Sequence, residues 1–275
     1  MNSEDPAKLQ TLGTFNSVAD HFDDQPLSFW NRFGRATIER LSLPAGAAVL
    51  DVCCGSGASA LPGAQAVGPE GRVIGVDLAD KLLELARSKA AAQGLQNVEF
   101  RVGDMENLQF ADGSFDAVVC VFGIFFVEDM PSQIAELWRM TKPGGQLAIT
   151  TWGERVLEPA YSLWQEAVKK NRPDLYEAHR PWDRTSREQT LRSLFTQAGV
   201  PDVQITSQQG WHQLATSADW RAIVQGTGLR WTLDKLGSDA GEAILRANQK
   251  WLSDNAVTQL EVNVLYGLAR KAAPL

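Results

Sequence analysis

From Ala47 onward the chain alternates short apolar runs with stretches that place apolar residues at helical spacing. The runs AAVLDV (47–52), GRVIGVD (71–77), VEFRVGD (98–104), FDAVVCVF (115–122) and GQLAITTW (145–152) are rich in β-branched or aromatic residues, and each predicts a strand. Helices are predicted between them. DKLLELARSKAAAQG opens at an aspartate and ends on Gly94; DMPSQIAELWRMTKPGG has Asp129 as its cap and KPGG as its stop. Further on, EPAYSLWQEAVKKN and TSREQTLRSLFTQAG read as helices, the second with a capping box from Thr185 to Glu188 and Gly199 as terminator. VPDVQITSQQGWHQL is a strand candidate, two more helical stretches follow, and VNVLYGLARK reads as a closing strand. Near the N-terminus FWNRFGRATIER (29–40) predicts an amphipathic helix on the sheet, with Phe29 and Trp30 near its mouth.

Strand, helix and strand recurring every ~20 to 25 residues, with continuous apolar strands, imply an α/β, doubly wound sheet of mostly parallel strands joined by right-handed crossovers. Ligands on such sheets bind outside the carboxyl ends of the strands. Those ends carry the candidate chemistry. Asp51 closes the first run ahead of a turn containing Gly55 and Gly57, residues that let a ligand approach the main chain and open a helix with free amides. Asp77 closes the second run, where a carboxylate accepts both hydroxyls of a ribose. The third run leads into Asp104 and Met105, a hydrogen-bond acceptor and an apolar surface suited to adenine. GSGASA also satisfies the relaxed dinucleotide pattern G-x-G-x-x-A, which keeps a nicotinamide site open. Three successive strand-end acids favour a ligand with a cationic amine, a ribose and an adenine over one with a diphosphate.

Composition narrows the class. A hydrophobic fraction of 44% and a charged fraction of 21% are ordinary for a globular protein, and no apolar run is long enough for a membrane span. The start of the chain is neither basic nor apolar, so no export signal is expected and a cytoplasmic location is. A net charge of −7 works against broad attraction to nucleic acid. The three cysteines, Cys53, Cys54 and Cys120, have no C-x-x-C spacing; they are expected to be reduced packing residues, and no metal site is expected.

In order and spacing, VLDVCCGSG, VIGVDL, VGDMENLQFADGSFDAVVCVFG and LWRMTKPGGQLAITTW resemble the successive motifs of Rossmann-like (class I) S-adenosylmethionine-dependent methyltransferases, in the branch with the ubiquinone and menaquinone C-methyltransferases. The likeness covers residues 44–152. FNSVADHFDD (15–24) also resembles that branch's N-terminal helix motif, with Phe22 in place of the usual tyrosine. The resemblance implies a seven-stranded, mostly parallel sheet whose last strand is antiparallel, with N-terminal helices and a helical lid insertion. By motif position Asp51 holds the methionyl ammonium directly or through water, and Cys53, Gly55, Ser56 and Gly57 line the cofactor. Asp77 takes the ribose, Leu78 packs on adenine, Asp104 and Met105 complete the adenine pocket, and main chain near Val121 flanks the methionine. Cys53 stands where the family shows a glycine.

One domain over 1–275 is expected: an N-terminal helical cap (1–43), the cofactor-binding core (44–152), a helical lid (153–199) and final strands and helices (200–275). The implied reaction is in-line SN2 transfer of a methyl group to a small apolar or aromatic metabolite, leaving S-adenosylhomocysteine. Of the three histidines, His21 is the preferred candidate for a general base, ahead of His179 and His212. Phe22, Trp30 and Trp152 are candidate substrate contacts. AHRPWDR (178–184) offers two arginines to a substrate carboxylate, or is a solvated loop. A nicotinamide-dependent oxidoreductase and a non-catalytic S-adenosylmethionine-binding protein are the alternatives. The acceptor and the oligomeric state are left open.

Overall fold

The computed structural model of the chain describes residues 6–177 and 179–273. Its elements run α1 (Pro6–Ser17), α2 (Phe29–Glu39), β1 (Ala48–Val52), α3 (Ala60–Val67), β2 (Arg72–Asp77), α4 (Asp80–Ala92), β3 (Val98–Val102), β4 (Phe115–Val121), α5 (Met130–Met140) and β5 (Thr141–Trp152). Then follow α6 (Ala160–Asn171), α7 (Glu188–Gln197), β6 (Gln204–Gln208), β7 (Trp211–Gln213), α8 (Asp219–Gln225), α9 (Leu229–Asp254), β8 (Gln259–Glu261) and β9 (Val264–Arg270). Ala178, within the arginine segment anticipated above, lies outside the described residues.

Seven strands form one sheet in the order β3-β2-β1-β4-β5-β9-β6. β9 is antiparallel to both of its neighbours, and the pairs among β1 to β5 are parallel. β1 is buried at all five positions, as a central strand covered on both faces must be. Its residues divide between two apolar layers. Val49, with Val73 and Val119, packs under α3 and α4; Leu50, with Ile74 and Val118, packs in the layer that holds α5 and α7. The chain winds outward from β1 to β3 and then returns to the other side of β1 as β4. The connections after β1 and β4 therefore diverge, and the crevice between them is the natural ligand site of such a sheet.

α2 comes close to the loop after β1 because Gly34 has no side chain: a Cβ there would sit 2.4 Å from the Ala58 carbonyl oxygen. Asp129 caps α5, accepting from the Ser132 amide at 3.0 Å. Two local expectations are corrected. Thr185 does not cap α7, since its hydroxyl is buried against the Thr151 hydroxyl at 2.5 Å and donates to the Trp182 carbonyl, so the helix starts only at Glu188. VPDVQITSQQGWHQL is two strands, not one: β6 pairs with β9, then at Gly210 the chain leaves the sheet edge and β7 pairs with β8 in a separate two-stranded sheet. The Gly210 amide is held at that corner by the Asn263 side chain. α7 packs on α5, β6 and β9 at the sheet. No helix among the described residues is long and apolar enough to cross a membrane.

Candidate active site

A cavity of about 310 Å³ opens at the carboxyl ends of β1 to β4. α1, the first turn of α2, the segment after β5, α6 and the start of α9 close around it. One end is built from strand-end loops, the other from aromatic rings.

At the first end the loop after β1 turns sharply. Cys53 (φ +59°), Gly55 (φ +51°) and Gly57 (φ +86°) all lie in the left-handed region, the reason a glycine suits the position Cys53 occupies. The turn brings the Gly55 amide onto Asp77 Oδ2 at 2.8 Å, while Asp77 Oδ1 accepts from the Ala79 amide at 2.8 Å. Asp77 is thus locked in orientation at the cavity wall with lone pairs to spare. Burial pushes its carboxyl up, against the opposing amide hydrogen bonds.

Asp51 is fully buried one layer behind the wall, with Ser59 in front of it donating to Oδ2 at 2.7 Å. Oδ1 is buried without a hydrogen-bond partner. Burial pushes this carboxyl up to about 7; the Ser59 and Ala60 hydrogen bonds oppose the rise and the Asp77 charge adds to it. Asp104 accepts from the Glu106 amide and from Lys8 Nζ of α1 at 2.7 Å, and Lys8 also pairs with Glu106. Met105 is buried at the wall with Cys53 Sγ 3.5 Å from its sulfur. The Cys53 thiol is held well above its ordinary range, first by hydrogen bonding with Cys120 and then by burial.

These groups fit the cofactor that the motifs imply. An unpartnered carboxylate oxygen on Asp51 wants a cation or a water, Asp77 has acceptor capacity left, and Leu78, Met105 and Val121 supply apolar wall.

At the second end Phe22 stacks on Trp30 with ring centroids 5.4 Å apart and 6° between planes, and Trp152 stacks on Phe122 at 4.0 Å and 19°. Trp30 bridges the two stacks, 5.5 Å from both Phe122 and Trp152. Phe122, at the end of β4, is itself in the left-handed region (φ +57°) and is pinned there by its amide on the Thr150 carbonyl. A strained backbone held by its surroundings belongs where a side chain must be aimed.

Of the residues singled out in the sequence, Cys53, Gly55, Asp77, Leu78, Asp104, Met105, Val121, Phe22, Trp30 and Trp152 meet around this cavity. Ser56 and Gly57 do not. Ser56 turns outward to donate to Asp23 and accept from Lys89, and Gly57 faces Leu61 and Ala86. Nor does any of the three histidines line it: His21 pairs with Asp24 at 2.9 Å, His179 is exposed, and His212 is buried edge-on to Phe29. The arginines are already engaged. Arg184 donates to the carbonyls of Phe125, Val127 and Glu128, and Arg180 lines the cavity paired with Asp183. Sequence reasoning missed Lys8 and Phe15 of α1, Ser59, and Tyr161 and Gln165 of α6. Only Ser59, in the glycine loop's own helix start, had a local signal.

A family model described as a methyltransferase domain matches residues 49–145. The demethylmenaquinone methyltransferase of Geobacillus kaustophilus is 32% identical over 210 residues, covering 70% of this chain and 88% of its own length. That of Listeria monocytogenes is 32% identical over 193 residues, covering 65% and 80%. The crystal structure of the YcgJ protein from Bacillus subtilis superposes with a TM-score of 0.59 at 20% identity, covering 88% of this chain and all of that one, a likeness of fold.

Proposed function

The chain belongs to the class I S-adenosylmethionine-dependent methyltransferases related to the demethylmenaquinone methyltransferases, and from that premise we propose that it methylates a small aromatic or apolar metabolite bound against the Phe22, Trp30, Phe122 and Trp152 rings. The observation that carries this reading is one cavity with two chemically distinct ends, strand-end acids and a glycine turn facing a wall of stacked rings.

The cofactor, when bound, supplies a methyl group already activated by its sulfonium. What remains for the protein is to hold, align and keep dry. Asp77, with both oxygens fixed by backbone amides, receives the ribose hydroxyls; Asp51 meets the ammonium through Ser59 or a water; Asp104 and Met105 take the adenine. The aromatic stacks exclude water and present ring faces that favour positive charge. With no histidine at the cavity, the contribution to the acceptor that the geometry supports is positioning.

Incubating the protein with methyl-labelled cofactor and separate panels of aromatic and of polar aliphatic acceptors tests this. Label is expected in aromatic products and is expected to vanish in Asp77→Ala. Transfer only to polar aliphatic acceptors would overturn the reading.

A further inference from the structure

Beyond the ring stacks, the cavity wall carries a polar cluster contributed by α6 and the turn at Pro181–Arg184. Gln165 Nε2 donates to the Tyr161 hydroxyl at 2.5 Å, and Gln165 Oε1 is buried without a partner. Trp182 lies beside Tyr161, with ring centroids 6.3 Å apart, and its Nε1 is likewise buried and unpartnered. The Arg180 guanidinium covers both rings, at 5.0 Å from the Tyr161 centroid and 5.5 Å from that of Trp182, while its Nε and Nη2 are held by Asp183. Unpartnered indole nitrogens also occur at Trp30, within the ring stack of the same cavity, and at Trp164 and Trp220, whose side chains lie in the core away from it. Here two unpartnered groups and a phenol converge at one stretch of cavity wall.

A buried donor or acceptor left unmade is costly, so these groups favour a ligand that hydrogen-bonds to them. The Tyr161 hydroxyl accepts from Gln165 and keeps its own hydrogen; reversing the Gln165 amide exchanges which atom is spare without filling the set. Burial pushes the phenol up to about 12, so it stays protonated and donates. Charge narrows the ligand further. Glu177 at the rim and Asp183 place two carboxylates against the single guanidinium of Arg180, and Arg184 is consumed by backbone carbonyls. Among the described residues of this wall, a carboxylate arriving there meets an acidic surround and a guanidinium already paired with Asp183.

We infer that Tyr161, Gln165 and Trp182 are specificity-determining residues of the acceptor site, taking an uncharged carbonyl or hydroxyl oxygen on the acceptor and excluding a carboxylate. This rests on the proposed methyl transfer to an aromatic acceptor and names the polar group that acceptor carries. Arg180 acts through its neighbours as a positioning residue: it stacks on the two rings and is itself oriented by Asp183.

Calorimetric titration of the protein loaded with S-adenosylhomocysteine tests it, using three naphthalenes that carry one substituent each and no other polar group: acetyl, ethyl and carboxylate. The acetyl compound is expected to bind about tenfold or more tighter than the ethyl, with the carboxylate weaker than either. Trp182→Phe and Tyr161→Phe are expected to erase the acetyl preference while S-adenosylhomocysteine affinity and melting temperature stay unchanged, which separates recognition from folding. Tightest binding by the carboxylate, equal binding of acetyl and ethyl, no acetyl binding at millimolar concentration, or an unchanged preference in both variants would each overturn the inference. Failure of the wild type to bind S-adenosylhomocysteine would instead strike the cofactor reading beneath it.

Discussion

Asp51 has its largest consequence through protonation. Burial holds its carboxyl near 7 against an ordinary value of 3.8, so between those two values the folded chain keeps a proton that the unfolded chain has released. Folding stability from this group is present below the unfolded value and is lost as pH rises through that window. Binding a cationic ammonium favours the ionised form, so affinity for S-adenosylhomocysteine is expected to rise as pH climbs through about 7 and then level off. Asp51→Asn is expected to flatten that profile. Titrations from about pH 5.5 to 8.5 check it, and a flat wild-type profile would remove Asp51 from the binding equilibrium. The acid's place before a glycine turn was readable in the chain, because strand ends face the ligand side of a parallel sheet. That Ser59 stands between Asp51 and the cavity was not, since it depends on how the turn carries α3 back over β1.

At the level of elements, α1 packs on α4 and α9 and supplies part of the cavity wall. Lys8 reaches Asp104 and Glu106 across the cavity edge, and Phe15 packs edge-on against Phe22 and Phe126. Partly exposed ion pairs of this kind contribute about 0–1 kcal/mol, enough to bias a local opening and too little to change global stability. Lys8→Met is therefore expected to raise hydrogen exchange in α1 several-fold while β1 to β5 keep their protection and the melting temperature holds. Exchange measured by mass spectrometry decides it; unchanged protection in α1 would mean that the rings alone hold the helix. The apolar runs of β1, β2 and β4 and the cap of α5 were legible because period and capping chemistry are local. Thr185 misled because its hydroxyl, a good cap by sequence, is worth more buried against Thr151. Tyr161 and Gln165 carry no mark along the chain. Four residues apart on one helix face, they become a recognition pair only where α6 meets the cavity.

For the whole molecule, a ligand that binds only the folded state should stabilise it by about 2.7 kcal/mol at a hundredfold excess over its Kd. For a chain of this length that corresponds to a rise in melting temperature of roughly 5–10 °C. S-adenosylhomocysteine is expected to produce such a shift in differential scanning calorimetry and to lose it in Asp77→Ala, where the ribose site is gone but the fold is kept. A shift that survives the substitution would place the ligand elsewhere. By itself the sequence determined the alternation that builds a parallel sheet, the acids and glycines at its strand ends, and through them the cofactor class, because each of these is written within a few consecutive residues. Only the tertiary structure decided which side of the glycine turn faces the ligand, that the histidines stand away from the cavity, and which rings and polar groups form the acceptor wall. Those features join α1, α2, β4, α6 and the turn at Pro181–Arg184, segments far apart in the chain that come together only through packing on the sheet.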